Sequence, residues 1–331
     1  MRLFGLLSIA FILVTAIVAI PAGRVYAAQD ASPVTAGTGG ALYTFDSGPD
    51  GFNTKTFFYD TGSEVVAFDA QFTPELAEKA IAYLQTESEN PITYVVVTHP
   101  NPDKFNGISA FQDAGAEVIT SEATAAAMPG VQDYKKAFFV GNGMFTDETY
   151  PELGTVDETF SDTMTLELSD GKTVELSELS EPGVSSTQTV AFIPEMNALI
   201  VGDLVHHTMH AWLEGGIVDG QATPTLDGWI ADLRELESTF GADPEPTVYG
   251  GRGDPAPLSE AVAAQIAYLE QADQIVTDYL AGLGDRTSEL TGEKAGEHYA
   301  AIQTEIADAF PGYEFADMIG FSVYGLVNSK L

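Results

Sequence analysis

Residues of four chemical types, His99, Asn101, Asp103 and Lys104, fall within six positions in Thr98-His99-Pro100-Asn101-Pro102-Asp103-Lys104. They directly follow the apolar run Val95-Val96-Val97. The set contains metal-ligating types, an imidazole and a carboxylate, beside an ammonium that opposes a metal. A second concentration is Asp203-x-x-His206-His207-x-x-His210, which holds three of the five histidines. If that stretch is helical, His206 and His210 share a face at i and i+4, a metal-ligand spacing. The plainer expectation is that His207 is solvated and that His206 and His210 pack or cap near a cleft. His298 lies in a polar helix and is given no role. Ser185 and Ser186 with His99 would make a nucleophile and base, but neither serine stands in a nucleophile-elbow sequence. Gly250-Gly251-Arg252-Gly253 lacks the lysine that a phosphate loop needs. Arg252-Gly253-Asp254 spells an adhesion tripeptide, a match too short to weigh. No cysteine is present, so disulfides, thiolate metal ligands and thiol nucleophiles are excluded.

These groups need a strand-and-helix scaffold to bring them together. Short apolar or alternating runs between residues 41 and 70 predict early strands. Thr73-Pro74 caps and starts a helix running to about Thr86. A strand over Ile92–Thr98 presents the His99 loop, and a helix follows over Phe105–Ala114. A strand over Ala116–Thr120 and a helix over Ser121–Met128 come next, and residues 131–150 are expected to be irregular. A hairpin turns at Ser169-Asp170-Gly171. Strands over Thr187–Ile193 and Ala198–Val201 precede an amphipathic helix over Pro224–Phe240. The remainder is helical, over Leu258–Leu283, Lys294–Phe310 and Phe315–Val327.

Four blocks in order carry a family resemblance. Thr98 to Gly107 resembles the signature His-x-His-x-Asp-His of the metallo-β-lactamase superfamily. Asn101 and Lys104 stand at two of its histidine positions. Pro182-Gly183-Val184-Ser185 is similar to the family's Gly-His-Thr, with Val184 for the histidine. Thr189 to Asp203 resembles the strand-turn-strand that ends in a metal-bridging aspartate, here Asp203. Thr247 to Pro255 is similar to the last block, with Arg252 for the final histidine. The resemblance implies an α/β fold, the four-layer αβ/βα sandwich, followed by a C-terminal helical extension. It implies that His99, Asn101, Asp103, Lys104, Val184, Asp203 and Arg252 meet at one edge of two facing sheets. Of the ligand set, His99, Asp103 and Asp203 survive, and in an active enzyme Asp103 and Asp203 would be the catalytic carboxylates. Lys104 and Arg252 then supply covalently the positive charge that metals supply elsewhere, which predicts an internal salt-bridge cluster. The expected cofactor is none. The alternative is one zinc or other divalent metal on His99, Asp103 or Asp203, with His206 or His210.

Thirteen Lys and Arg against 49 Asp and Glu give a net charge of −36. That field disfavours nucleic acid and anionic membrane surfaces as partners and leaves a small molecule as the expected one. Residues 1–27 read as a signal peptide, with Arg2, an apolar run and Val25-Tyr26-Ala27 before cleavage. Losing their two arginines takes the mature chain to −38. The expected location is secreted or periplasmic, with an N-terminal membrane anchor as the alternative. The expected layout is residues 28–40 as a flexible leader, 41–255 as the sandwich domain and 256–331 as the helical extension. The functional expectation is an exported, zinc-independent descendant of a metal-dependent hydrolase that binds a small molecule in its old cleft. The alternatives are a hydrolase of ester or lactone substrates on a rebuilt single-metal site and a non-catalytic surface-interaction protein.

Overall fold

Period-two alternation decides which way each strand faces, and two runs of it build two sheets. The computed structural model describes residues 34–35 and 40–331, so the expected signal segment and most of the leader lie outside the described residues. The first sheet takes its strands in chain order: β1 (Val34–Thr35), β2 (Ala41–Asp46), β3 (Lys55–Asp60), β4 (Val65–Phe68), β5 (Ile92–Val96), β6 (Glu117–Ser121) and β7 (Glu158–Phe160). It is antiparallel up to β4 and parallel from β4 to β7. Val34 and Thr35 pair with Leu42 and Ala41, so this part of the expected leader is a sheet edge.

The second sheet contains β8 (Thr163–Glu167), β9 (Thr173–Glu178), β10 (Thr189–Ile193) and β11 (Ala198–His207). A separate hairpin, β12 (Gly216–Val218) and β13 (Gln221–Thr223), precedes its last strands, β14 (Thr247–Gly253) and β15 (Ala256–Pro257). The order is β15-β14-β11-β10-β9-β8, with β11 and β14 parallel.

Phe57, Tyr59, Val66, Phe68 and Val96 point between the sheets and meet Leu166, Val174, Leu176, Ile193 and Ile200. Their chain neighbours Phe58, Val65, Ala67, Val95 and Val97 face the other way. They pack on α1 (Pro74–Glu87) and on the short helices α2 (Pro102–Phe105) and α3 (Ile108–Asp113). Beyond β10 and β11, Val190, Leu199 and Val201 meet a helical layer. This layer comprises α5 (Leu226–Phe240), α6 (Leu258–Leu283), α7 (Ala295–Ala309) and α8 (Asp317–Asn328); α4 (Glu122–Gly141) belongs to the first half. The result is helix, sheet, sheet, helix, the four-layer αβ/βα sandwich with a C-terminal helical region.

Three local expectations are corrected. The helix expected over residues 105–114 is two, α2 and α3, parted at Asn106-Gly107. A side chain at Gly107 would collide with the Ala70 carbonyl, so the chain passes here only as glycine. Residues 131–150 are not irregular throughout, because α4 runs from Glu122 to Gly141 with Pro129 inside it. Its buried face, Thr124, Met128, Val131, Lys135 and Phe139, recurs at helical spacing and outweighs the roughly 3 kcal/mol that an interior proline costs. Finally, β11 continues past Val201 to His207, because β14 pairs alongside it as far as His207 and Gly253.

Candidate functional site

β5 delivers the loop with His99 and then α2, which carries Asp103 and Lys104. β11 carries Asp203 and β14 carries Arg252. Their parallel register pairs Gly202 with Gly250 and His206 with Arg252, with irregular steps between. That register sets Asp203 and Arg252 side by side, facing α2. Gly251 is required for this approach, since a Cβ there would overlap Asp203 Oδ1 and crowd Lys104 Nζ.

The expected cluster is assembled. Lys104 Nζ lies 2.9 Å from Asp103 Oδ2 and 2.9 Å from Asp203 Oδ1. The Lys104 contacts are charge contacts rather than aligned hydrogen bonds. Arg252 donates from Nη2 to Asp103 Oδ2 at 2.8 Å and from Nη1 to Asp203 Oδ2. Its Nε donates to the Phe52 carbonyl at 2.7 Å, and Thr54 Oγ1 donates to Asp103 Oδ2 at 2.8 Å. All four charged side chains are buried, Lys104 and Asp203 completely. Burial alone would raise both carboxyls. Lys104 and Arg252 overcome it, holding Asp103 down at about 2 and Asp203 well below the carboxylate range. Burial would likewise lower Lys104, but Asp103 and Asp203 raise it above its ordinary value, so the ammonium stays charged.

The remaining expected residues divide. Asn101 lines the cavity over the cluster, while Val184 is buried in the apolar core behind it. His99 Nε2 sits 3.7 Å from Asp203 Oδ2. Its Nδ1 bonds Thr98 Oγ1 at 2.9 Å. Thr98 Oγ1 also donates to the buried Asp69, at 2.8 Å from Oδ1. Its single proton is used there, so His99 Nδ1 is the donor to Thr98. His206 is buried, neither of its ring nitrogens has a partner among the described residues, and burial pulls it down to about 3, so it is neutral. His210 turns away: its Nδ1 lies 3.2 Å from Tyr268 Oη and its ring packs on Tyr268 and Tyr313. The i, i+4 premise for His206 and His210 fails because the first is the penultimate residue of a strand.

Neither Ser185 nor Ser186 is bonded to a histidine among the described residues. No group of three or more His, Asp or Glu among them is arranged to hold a metal ion. Val184 offers no donor, and Lys104 and Arg252 already hold both carboxylates. These residues therefore do not fit the paired metal site that the resemblance implies.

Sequence reasoning missed several groups. Asp69 directly follows β4, with φ +65°, and anchors Thr98 by accepting from its backbone nitrogen as well as its hydroxyl. Lys135 and Glu214, 79 residues apart, form a buried ion pair beside the site. The space above the cluster is walled by Phe52, Phe72, Phe139 and Trp212, with Asp103, Lys135 and Arg252 at its floor and sides. Its volume is about 20 Å³, room for a single water.

One acid behind the Val184 loop gives a pH prediction. Asp232 on α5 is wholly buried and accepts from the Glu181 nitrogen at 3.1 Å, and its other oxygen has no partner among the described residues. Burial raises it to about 7. The folded chain keeps a proton that the unfolded chain releases near pH 4, so stability falls as pH rises from about 4 to about 7. Asp232→Asn removes that loss. Urea denaturation should show the variant more stable by on the order of 2–4 kcal/mol at pH 8 and no more stable at pH 4.

Comparison with known proteins places this geometry. Residues 49–252 match the family model described as metallo-beta-lactamase superfamily. No curated protein matches the chain. Among solved structures, a metallo-beta-lactamase from Pontibacter korlensis is similar with a TM-score of 0.54 at 21% identity, covering 72% of this chain and 98% of that one. The DIM-1 metallo-beta-lactamase gives 0.52 at 15% identity, covering 75% and 100%. TMB-1 gives 0.50 at 17% identity, covering 72% and 97%. At these identities the likeness is one of fold.

Proposed function

The chain belongs to the metallo-beta-lactamase superfamily, and from that premise we propose that it has exchanged metal ions for Lys104 and Arg252 and is a zinc-independent binding protein rather than a hydrolase. The observation that carries this reading is that both cations span Asp103 and Asp203. Two carboxylates so placed need a positive charge between them, and a metal entering there would have to expel a fully buried ammonium. With the cluster's charges balanced internally, little field is left to hold an anionic substrate. The reading includes export on residues 1–27 and a small-molecule ligand in the old cleft. In this structure that cleft has space for about one water, so a larger ligand would enter only as its walls move.

Metal analysis of the untagged mature chain, equilibrated with excess zinc and then desalted, tests this. The expected content is below about 0.1 zinc per chain. Two ions per chain would overturn the reading. One ion would favour the second reading, an ester or lactone hydrolase on a rebuilt site. The unpartnered nitrogens of His99 and His206 beside Asp203 are the observation in its favour.

A further inference from the structure

The family match ends at Arg252, so α6 to α8 lie beyond it. α8 nevertheless packs behind the residues that line the cleft, while contributing none of the lining itself. Its Tyr324 hydroxyl donates to Glu214 Oε1, and Glu214 Oε2 accepts from Trp212 Nε1 at 2.8 Å and from Lys135 Nζ on α4. Lys135 also lies over the Trp212 ring, 4.5 Å from its centroid. Tyr134 on α4 joins Tyr324 hydroxyl to hydroxyl at 2.9 Å, and the Phe138 ring stacks on that of Tyr324. One turn earlier on α8, Phe321 packs edge-on against Phe52, whose carbonyl holds Arg252. Ser322 accepts from the Leu213 nitrogen at 3.0 Å. Gly325 lies so close to Glu214 that a Cβ there would strike its backbone. Four of the residues lining the cavity, Phe52, Lys135, Phe139 and Trp212, are thus held by α8 directly or through one intervening group.

We propose that α8 is an intramolecular clamp on the walls of this cleft, pinned at Glu214, and that the cleft takes a small uncharged aromatic molecule only when α8 is displaced. The ligand class follows from the site: its walls are aromatic rings, and its cations are already matched by carboxylates. A ring therefore gains contact area there, whereas an ion gains no unmatched partner. This rests on the reading of the cleft as a binding site, but its test does not involve zinc, so the two fail separately.

The test uses the full mature chain, as wild type and as Tyr324→Phe, which keeps the ring and removes one donor to the pin. Hydrogen exchange read by mass spectrometry should rise roughly fivefold in α8 and in residues 131–141 together, with β5 and β11 unchanged. Uncharged N-phenyl-1-naphthylamine, followed by its fluorescence, should bind the variant more tightly by a similar factor. Faster exchange in α8 alone would overturn the shared pin. A rise spread equally over the sheets would overturn the clamp, because α8 would then open only with the whole fold. Unchanged probe affinity despite local opening would overturn the ligand class. Glu214→Gln should exaggerate each effect. If that variant does not fold, Tyr324→Phe still decides.

Discussion

Lys104→Met should destabilise the chain by about 3–5 kcal/mol in urea at pH 7, because it leaves two buried carboxylates to share one guanidinium. Methionine keeps most of the apolar stem, so the loss reports charge rather than volume. Asp203→Asn alone strands a cation and should also cost stability. The double variant should lose less than the sum of the two, with a coupling above about 1 kcal/mol. Additive losses would mean that Lys104 and Asp203 do not interact as their 2.9 Å separation requires. Acid gives an independent check. Asp103 is depressed to about 2 and Asp203 lies well below its ordinary value, so their contribution is complete above pH 4 and fades as pH falls toward 2. The gap between wild type and Lys104→Met should therefore narrow over that interval, as protonation relieves the unpaired carboxylates.

The fourfold change Asn101→His, Lys104→His, Val184→His and Arg252→His should raise zinc affinity by at least about a thousandfold without producing an enzyme. Each substitution adds an imidazole, and two of them also remove a cation that repels metal. Hydrolysis should remain at background on chromogenic ester, lactone and phosphodiester substrates. Phe52, Phe72, Phe139 and Trp212 wall the space above the cluster, whose volume of about 20 Å³ holds about one water and leaves a substrate no preformed place to sit. Zinc content by mass spectrometry and turnover on that panel are the readouts. No gain in zinc would mean that α2, β11 and β14 have drifted from a ligating arrangement. Robust turnover would mean that the aromatic wall opens freely.

The sandwich was legible because alternation is local. Phe57-Phe58-Tyr59 and Val95-Val96-Val97 announce strands apolar on both faces, and the run Leu258–Leu283 is helical from end to end. The four blocks also named the residues of the cluster. Two misreadings came from single residues. Pro129 reads as a breaker, although Met128, Val131, Lys135 and Phe139 continue the stripe across it. Gly202-Asp203 reads as a strand end, although pairing with β14 carries the strand on to His207. Glu214 and Lys135 had no signal at all, because only the tertiary fold brings α4, the Trp212 segment and α8 to one carboxylate.

Lys104 and Arg252 also set how the fold responds to its surroundings. A captured ion stabilises a protein by mass action, so its contribution vanishes on dilution, chelation or starvation for the element. Charges fixed to the backbone obey no such equilibrium. They arrive with translation and are present at the same local concentration in every medium. Under the zinc independence proposed above, such a chain would need no loading step after synthesis, would have no empty form for a scavenger of metals to exploit, and would fold identically in zinc-rich and zinc-poor media.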